Sequence, residues 1–325
     1  MALLVANHPG RCCQRPGWFL AWLSALLCAT GAAAIASDAA TDSATHVTTT
    51  STTDATEITA EPNRTLTDVS AITGATLANP YPQVARAYYV QLNAEPLWGQ
   101  ALTTRLPPAS LTKLMTALLA LQQGELQQLV TVSANAAAMT GARLGLKAGQ
   151  QISRQDLLTA MLLGSGNDAC VALAESLAGS ETAFVARMNA AAARWQLRDT
   201  AFANACGFDD ERHYSSIRDL VQLTERVLAE PELKRLVALL EATVTVSGKP
   251  RRVTTSNALL GRLPGAIGVK TGYTNKAGKC IIALTERNGA QVLAVFLNAP
   301  DRWWDLAAII ELAFREARVR AAAKS

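Results

Sequence analysis

Charged and aromatic residues are scarce in this chain. Asp, Glu, Lys and Arg together make up 17% of the 325 residues, and Phe, Trp and Tyr make up 5%. The formal net charge is +4, and nowhere do lysines and arginines cluster densely enough to follow a phosphate backbone. We therefore expect no nucleic-acid partner.

Histidine is rarer still. The chain has three, of which only His213 lies in the part with a globular pattern. The sequence lacks the G-x-S-x-G turn that α/β-hydrolases place at their nucleophile. It also lacks H-E-x-x-H and the paired Cys/His spacings that hold zinc. These absences count against a Ser-His-Asp hydrolase, and we expect no metal site and no cofactor.

Cysteine is too scarce for a disulfide-built scaffold. Three of the six cysteines lie in the N-terminal segment, and the other three are Cys170, Cys206 and Cys280. An odd number does not fit a framework of bridges. A single pair between Cys206 and Cys280 stays open, but the favoured interpretation is that these residues are small buried hydrophobes.

The N-terminus has the order of a secretory signal. Arg11 and Arg15 precede an uncharged run over residues 17–36, which ends in the processing site Ala34-Ile35-Ala36. This order predicts a cleaved signal peptide over residues 1–36. The alternative is an uncleaved segment that gives weak membrane association. A lipoprotein signal at Cys28 is disfavoured because the preceding Leu27 is bulky.

The composition then changes twice. Residues 37–76 are rich in Thr, Ala and Ser, and contain too few periodic apolar residues to offset the entropy of ordering. We predict a disordered linker there, a globular domain over residues 77–318, and a tail over residues 319–325.

Hydrophobic periodicity divides the domain into an early strand, a helical block, a run of strands and a closing helix. The early strand is Ala87–Leu92, and residues 93–96 form a turn that leads into its partner strand. Helices are predicted at 110–123, 154–163, 168–178, 181–195 and 216–230, strands at 242–246, 252–255, 267–271, 280–285 and 291–296, and a last helix at 303–318. This order predicts an α+β fold, with an antiparallel sheet flanked by helices and a helical subdomain.

The first motif with chemical potential is Ser110-Leu111-Thr112-Lys113, which opens the most apolar helix. The i, i+3 spacing places Lys113 one turn from Ser110 on the same face. A serine hydroxyl needs a base, and a lysine becomes one when burial and a nearby cation lower its pKa. The plainer alternative makes Ser110 a helix cap and Lys113 a solvated lysine.

Two further motifs follow in order. Ser165-Gly166-Asn167 lies between two helices, where its hydroxyl and amide can relay a proton or hold a substrate amide. Lys270-Thr271-Gly272 ends a strand, where an edge can pair with an extended peptide and Gly272 permits close approach. Taken alone, Asn167 is equally well a helix cap, and Lys270-Thr271-Gly272 is more simply the end of a strand that enters a turn.

Together the three motifs resemble those of low-molecular-mass penicillin-binding proteins, the serine-type D-alanyl-D-alanine carboxypeptidases. The longer stretches Pro108–Thr116, Ser165–Cys170 and Val269–Thr274 carry the resemblance. The family has the β-lactamase/transpeptidase-like fold and removes the terminal D-alanine of peptidoglycan stem peptides. The resemblance implies a peptidoglycan pentapeptide as substrate, β-lactam antibiotics as covalent inhibitors, and a location in the periplasm or on the outer face of the bacterial inner membrane.

The same resemblance implies roles for individual residues. Ser110 forms the acyl-enzyme and Lys113 is its base, while Ser165 and Asn167 line the cleft. The substrate carboxylate is expected at Lys270 and Thr271, with a further contact from Arg302. The backbone N–H groups of Ser110 and Tyr273 are expected to bind the oxyanion.

The departures from the family leave other enzymes to consider. Cys206 stands where many relatives have His, which puts only loop details in doubt. A class A β-lactamase needs a deacylating Glu after the second motif, and residues 199–204 contain none. A DD-endopeptidase that cuts peptidoglycan cross-links shares all three motifs and remains an alternative. So does a non-catalytic peptidoglycan-binding protein.

Overall fold

The computed structural model describes residues 77–323, so the predicted signal peptide and linker lie outside the described residues. A five-stranded antiparallel sheet forms the centre, in the order β2-β1-β9-β8-β7. Its strands are β1 (Ala87–Leu92), β2 (Glu95–Gln100), β7 (Ala266–Thr274), β8 (Gly278–Arg287) and β9 (Ala290–Ala299). Strand β7 lies at one edge of this sheet, and that position leaves one of its sides without a partner strand.

Both faces of the sheet are covered. Successive side chains of a strand point to opposite faces, and in β1 Tyr88 and Tyr89 are both fully buried. Tyr88 packs in a cluster with the C-terminal helix Trp304–Ala322, and Tyr89 packs in the larger cluster formed with the other helices. The sheet is therefore the middle layer between one helix and a helical block.

Seven helices occupy residues 113–237. They are α1 (Lys113–Gln123), α2 (Ala134–Ala137), α3 (Arg154–Leu163), α4 (Asn167–Ala178), α5 (Glu181–Arg194), α6 (Ile217–Ala229) and α7 (Pro231–Val237), and the C-terminal helix Trp304–Ala322 is α8. Serine side chains cap α3, α5 and α6 at Ser153, Ser180 and Ser216. Each capping oxygen accepts an N–H bond from the first turn, which fixes where the helix begins. Helix α1 is buried along most of its length, as its apolar sequence predicts.

A second, four-stranded sheet has the order β3-β4-β5-β6. Its strands are β3 (Leu129–Thr131), β4 (Gln151–Ser153), β5 (Glu241–Val246) and β6 (Lys249–Thr254). The sequence predicts β5 and β6 but not β3 and β4, because three residues are too few to establish a period of two. The α+β prediction, with antiparallel strands and helices, is confirmed.

The helix predicted from Ser110 begins differently in the structure. Ala109–Thr112 form a 3₁₀ turn, and the α-helix begins only at Lys113. Ala109 has a φ of 49°, in the left-handed region, so a regular right-handed helix does not extend back through this residue. At the other end of the domain, α8 extends to Ala322, beyond the predicted Arg318.

The suggested pairing of Cys206 with Cys280 is wrong. Cys206 is bonded to Cys170, with their Cα atoms 6.0 Å apart. Cys280 is a free, buried thiol on β8, near the carbonyl oxygens of Pro107 and Ala277. The interpretation as a small buried hydrophobe holds for Cys280 alone, because the fold brings α4, not β8, to the loop that carries Cys206.

Within residues 77–323, no single helix is both long enough and apolar enough to cross a membrane. Helices α4 and α5 pass that test only as a pair, and they are bent by 82° at the break between them.

Candidate active site

Ser110 and Lys113 are joined by a hydrogen bond. Lys113 Nζ donates to Ser110 Oγ at 2.9 Å. The 3₁₀ turn that contains Ser110 has three residues per turn, so residues i and i+3 lie directly above one another. The predicted juxtaposition therefore exists, although a 3₁₀ turn produces it and not the first turn of an α-helix.

Three oxygen atoms surround Lys113 Nζ. Besides Ser110 Oγ, it donates to Asn167 Oδ1 at 2.9 Å and to the backbone carbonyl of Cys206 at 2.6 Å. An ammonium has three N–H donors, and these contacts use all of them. None of these acceptors is a carboxylate, so no negative charge holds the proton on the lysine.

The environment of Lys113 favours the neutral amine. Lys113 is completely buried, and this burial, with the charge of Lys270, lowers its pKa well below the ordinary value of 10.5. Both causes penalise the protonated form. The alternative that made Lys113 a solvated lysine is excluded by its burial.

Ser165 and Asn167 line the same cleft. Asn167 is the first residue of α4, and Gly166 occupies the capping position without a side-chain cap. The amide of Asn167 is fixed because its Nδ2 donates to the Thr140 carbonyl at 2.7 Å. Its Oδ1 is therefore turned toward Lys113, and the alternative role of Asn167 as a helix cap is not observed.

Lys270 joins the edge strand β7 to this loop. Its Nζ donates to Ser165 Oγ and to the backbone carbonyl of Thr271, each at 3.0 Å. Burial, together with the charge of Arg302, lowers the pKa of Lys270 from 10.5 to about 7. The neighbouring Thr271 Oγ1 lies 3.1 Å from Ser256 Oγ.

Gly272 lies against the backbone of the nucleophile. A Cβ atom added there would be 3.0 Å from the backbone nitrogen of Ser110 and 3.1 Å from the carbonyl oxygen of Pro108. Only glycine permits this contact without displacement of one chain. Tyr273 follows directly, so its backbone and that of Ser110 lie at the same end of the cleft, while its side chain is exposed.

Arg302 approaches β7 from the segment before α8. Its guanidinium donates to the Gly272 carbonyl and lies over the ring of Trp303, 4.8 Å from the ring centre. Burial lowers the pKa of Arg302 below its ordinary value. The fold thus brings Arg302 to the strand that carries Lys270 and Thr271.

Sequence reasoning missed the contribution of the loop 204–208. Gly207 has a φ of 89°, and a Cβ atom added there would be 1.9 Å from the Ala109 carbonyl oxygen and 2.9 Å from the Ser110 nitrogen. Asn204 Oδ1 accepts the N–H groups of Cys206, Gly207 and Phe208. The Asn-x-x-Gly pattern is a turn signal, but nothing in it indicates which element the turn packs against.

His213 supports the same region from behind. Its Nε2 lies 2.8 Å from Thr112 Oγ1, and its Nδ1 accepts the N–H of Ala203. Burial lowers the pKa of His213 to about 4, so it is neutral at physiological pH. It joins the 3₁₀ turn to the segment before loop 204–208.

A family model described as D-alanyl-D-alanine carboxypeptidase matches residues 96–301, a segment that contains every site residue above except Arg302. The chain belongs to this family. The resemblance given by the three motifs is thereby confirmed.

Relatives of the D-alanyl-D-alanine carboxypeptidase family support the match in sequence and in fold. The chain is 34% identical over 209 residues to D-alanyl-D-alanine carboxypeptidase DacF of Bacillus subtilis, covering 62% of this chain and 54% of that protein. It thus spans about half the length of that relative. A D-alanyl-D-alanine carboxypeptidase structure from Mycobacterium tuberculosis matches with a TM-score of 0.68 and 28% identity, covering 74% of this chain and 95% of that one.

A second solved structure is penicillin-binding protein D2 from Listeria monocytogenes in its ampicillin-bound form. It matches with a TM-score of 0.64 and 30% identity, covering 73% of this chain and 100% of that one. The predicted fold, that of the DD-peptidases and transpeptidases, is therefore confirmed.

Proposed function

We propose that the protein is a serine DD-peptidase, which removes the terminal D-alanine from peptidoglycan stem peptides through an acyl-enzyme on Ser110. The observation that carries this proposal is the hydrogen bond between Ser110 Oγ and Lys113 Nζ, an amine whose pKa is lowered by burial. A neutral amine at that position is a base within reach of the hydroxyl proton.

Acylation begins with Lys113 in its neutral form. Its Nζ accepts the proton of Ser110, and Oγ attacks the carbonyl carbon between the two D-alanines. The negative oxygen that develops is held by the backbone N–H groups of Ser110 and Tyr273, which lie at the same end of the cleft. Such fixed donors stabilise the transition state because they need no reorganisation.

The leaving amine of D-alanine then needs a proton. Lys113 carries the proton taken from Ser110, and Ser165 is hydrogen-bonded to the second cation, Lys270. Either group can deliver a proton to the amine nitrogen, and Asn167 holds Lys113 in place for the transfer. After D-alanine departs, water enters its place and Lys113 again serves as base, so that hydrolysis frees Ser110.

The free edge of β7 suits an extended peptide, since its backbone groups can pair with the substrate as an added strand. The terminal carboxylate is then recognised by Thr271 and Lys270, with Arg302, which is hydrogen-bonded to the Gly272 carbonyl of β7, adding a second cation. Charge-assisted contacts of this kind favour a substrate with a free carboxylate.

Acylation by β-lactams is part of the same proposal. A strained lactam amide with a nearby carboxylate presents the groups that this cleft binds, and the Listeria relative is described in an ampicillin-bound form.

We also propose that the protein is exported, to the periplasm or the outer face of the inner membrane, because the order of residues 1–36 is that of a signal peptide. Weak membrane association through that segment is the accompanying proposal.

The direct test is release of D-alanine from a peptide that ends in D-Ala-D-Ala. Wild type should release one D-alanine per peptide, and Ser110→Ala should release none. A cross-linked dimeric stem peptide separates the two peptidase functions, since an endopeptidase cleaves it faster than the linear peptide. Failure to cleave either substrate, in folded protein, would favour the non-catalytic alternative.

A further inference from the structure

A single covalent bond connects two of the segments that hold Lys113. Asn167, the first residue of α4, provides Oδ1, and loop 204–208 provides the carbonyl oxygen of Cys206. The disulfide joins Cys170, three residues after Asn167 in the same helix, to Cys206 itself. Both acceptors that Lys113 Nζ uses besides Ser110 Oγ therefore lie within three residues of the bridge.

The bridged loop also sets the position of the nucleophile. Gly207 contacts the backbone of Ala109 and Ser110 so closely that no Cβ atom fits between them. If this loop shifts by a few tenths of an ångström, either the Ser110 backbone or the Cys206 carbonyl, which accepts a hydrogen bond from Lys113 Nζ, must therefore move with it. Packed interiors transmit such shifts because they contain few voids.

Apart from the bridge, weaker contacts hold the loop. Ala205 O accepts from Thr116 Oγ1 at 2.6 Å, and the N–H of Ala205 donates to Glu181 Oε1 at 2.9 Å. The loop has no helix or strand of its own to fix its backbone. Both sulfurs are buried, so the bridge acts inside the protein and not on its surface.

We propose that the Cys170–Cys206 disulfide is a positioning element of the active site, which fixes Asn167 Oδ1 and the Cys206 carbonyl, two of the three acceptors of Lys113 Nζ, relative to Ser110 and thereby sets the rate of acylation. This inference rests on the proposed function. The two sulfur atoms contact neither the substrate nor Ser110, and the bridge acts through Asn167 and through the backbone carbonyl of Cys206. An exported protein meets the oxidising conditions under which such a bridge persists.

The test compares Cys170→Ala, Cys206→Ala and the double variant with wild type, and uses Cys280→Ala as the matched control. Cys280 is equally buried but has no disulfide partner. The quantity measured is the second-order rate constant for acylation of Ser110 by penicillin, at a temperature well below the Tm of every variant. We expect this rate constant to fall by on the order of tenfold to a hundredfold in all three bridge variants, because misplaced reacting groups slow a reaction by such factors. The control variant should have the rate constant of wild type.

Non-additivity identifies the bridge as the cause. If the disulfide is the unit that matters, either single variant removes it completely, and the double variant is no slower than each single one. Losses that multiply in the double variant would mean that the two side chains act separately, and would overturn the proposal.

The pH profile of acylation separates positioning from a loss of folded protein. The charged and titratable groups around Lys113 are Lys270 on β7 and His213 behind the 3₁₀ turn, with Asp209 and Asp210 acting on His213. Without the bridge, water reaches Nζ and weakens the burial that keeps the amine neutral. The acid limb of the profile should therefore move to higher pH, whereas partial unfolding only scales the whole profile.

If an alanine variant does not fold, reduction of the disulfide in the wild-type protein replaces that variant in the test. Dithiothreitol transfers two electrons and two protons to the disulfide, which becomes two thiols, while the reagent closes to a cyclic disulfide. Once titration counts two additional thiols, acylation should slow as in the variants, and reoxidation by oxidised glutathione should restore it. Reduced protein that acylates at the wild-type rate would contradict the proposal, whereas wild type that is never acylated would contradict the proposed function.

Discussion

Ser165 Oγ accepts a hydrogen bond from Lys270 Nζ at 3.0 Å, and this bond joins the loop between α3 and α4 to the edge strand of the central sheet. Both side chains are buried. The contact keeps a cation close to Lys113, where its charge adds to the effect of burial and lowers the pKa of Lys113. The structure thus provides a physical reason for a neutral lysine beside Ser110.

Lys113→Arg tests the base directly. A guanidinium keeps the positive charge but does not lose its proton at any pH that a protein tolerates, so it does not accept the proton of Ser110. We expect acylation to fall on the order of a thousandfold or more, as for Ser110→Ala, since residues that act as a unit each cost nearly the whole rate. The measurement is the acylation rate with penicillin and with a D-Ala-D-Ala peptide.

The control for this variant is Lys147→Arg, because Lys147 is exposed and belongs to none of the three motifs. It should leave the rate unchanged. A rate near that of wild type in Lys113→Arg would mean that another group takes the proton.

Lys270→Met should make the protein more stable while it damages the site. The pKa of Lys270 is lowered from 10.5 to about 7 by burial and by Arg302, so between these values the unfolded chain holds a proton that the folded protein lacks. The free energy of unfolding of wild type therefore rises with pH across this window, by at most about 1.4 kcal/mol per pH unit from this group. Methionine fills a similar volume without charge, so the stabilisation should be greatest at pH 7 and below.

Urea unfolding at pH 7 and at pH 9 measures this effect, with the exposed Lys147→Met as control. The stability gained by Lys270→Met should shrink as the pH rises. If Lys270→Met raises the free energy of unfolding equally at pH 7 and pH 9, or lowers it at pH 7, then the buried ammonium of Lys270 does not destabilise the fold.

Amidation of the substrate tests recognition of the carboxylate. A D-Ala-D-Ala peptide with an amidated C-terminus lacks the charge that Lys270, Thr271 and Arg302 are proposed to bind. A charge-assisted contact contributes about 2–3 kcal/mol, so kcat/KM should fall by about a hundredfold. Equal efficiency on both peptides would favour the endopeptidase alternative, in which the chain continues past the scissile bond.

A fragment that begins at Leu77 should fold and bind penicillin in the absence of detergent. Leu77 packs against the core, and Ala78 forms a bridge with Trp98 of β2, so the domain needs these residues. A second fragment that begins at Pro80 should have a lower Tm, since it lacks these contacts and the hydrogen bond from Tyr88 to Asn79. A Leu77 fragment that is recovered only with detergent would show that residues 1–76 contribute to folding or solubility.

Much of the site could be predicted because its chemistry lies in short motifs with local spacing. The pair Ser110 and Lys113 is separated by three residues, so either a 3₁₀ or an α-helical turn brings them together. The bounds of α3, α5 and α6 follow capping serines that are visible in the sequence, whereas the short helices α2 and α7 are not predicted.

Contacts between distant segments could not be predicted. Cys170 and Cys206 are 36 residues apart, and with three cysteines in the domain the spacing gives no reason to prefer their pairing over the others. The carbonyl of Cys206 has no side-chain signal at all, yet it is one of the three acceptors of Lys113 Nζ. Short strands such as β3 and β4 form because they pair with neighbouring strands, and their own three residues carry too little pattern to predict them.

Intact-mass analysis after a brief exposure to penicillin tests the central claim most directly. Lys113 should assist the attack of Ser110 on the lactam, and the opened ring stays tethered where water would enter. Within residues 77–323, no carboxylate is hydrogen-bonded to Ser110, Lys113 or Asn167 to activate that water. The account predicts one stoichiometric adduct, located on the peptide that contains Ser110, which outlasts a catalytic turnover. Rapid hydrolysis of many equivalents of penicillin with no accumulated adduct would contradict it.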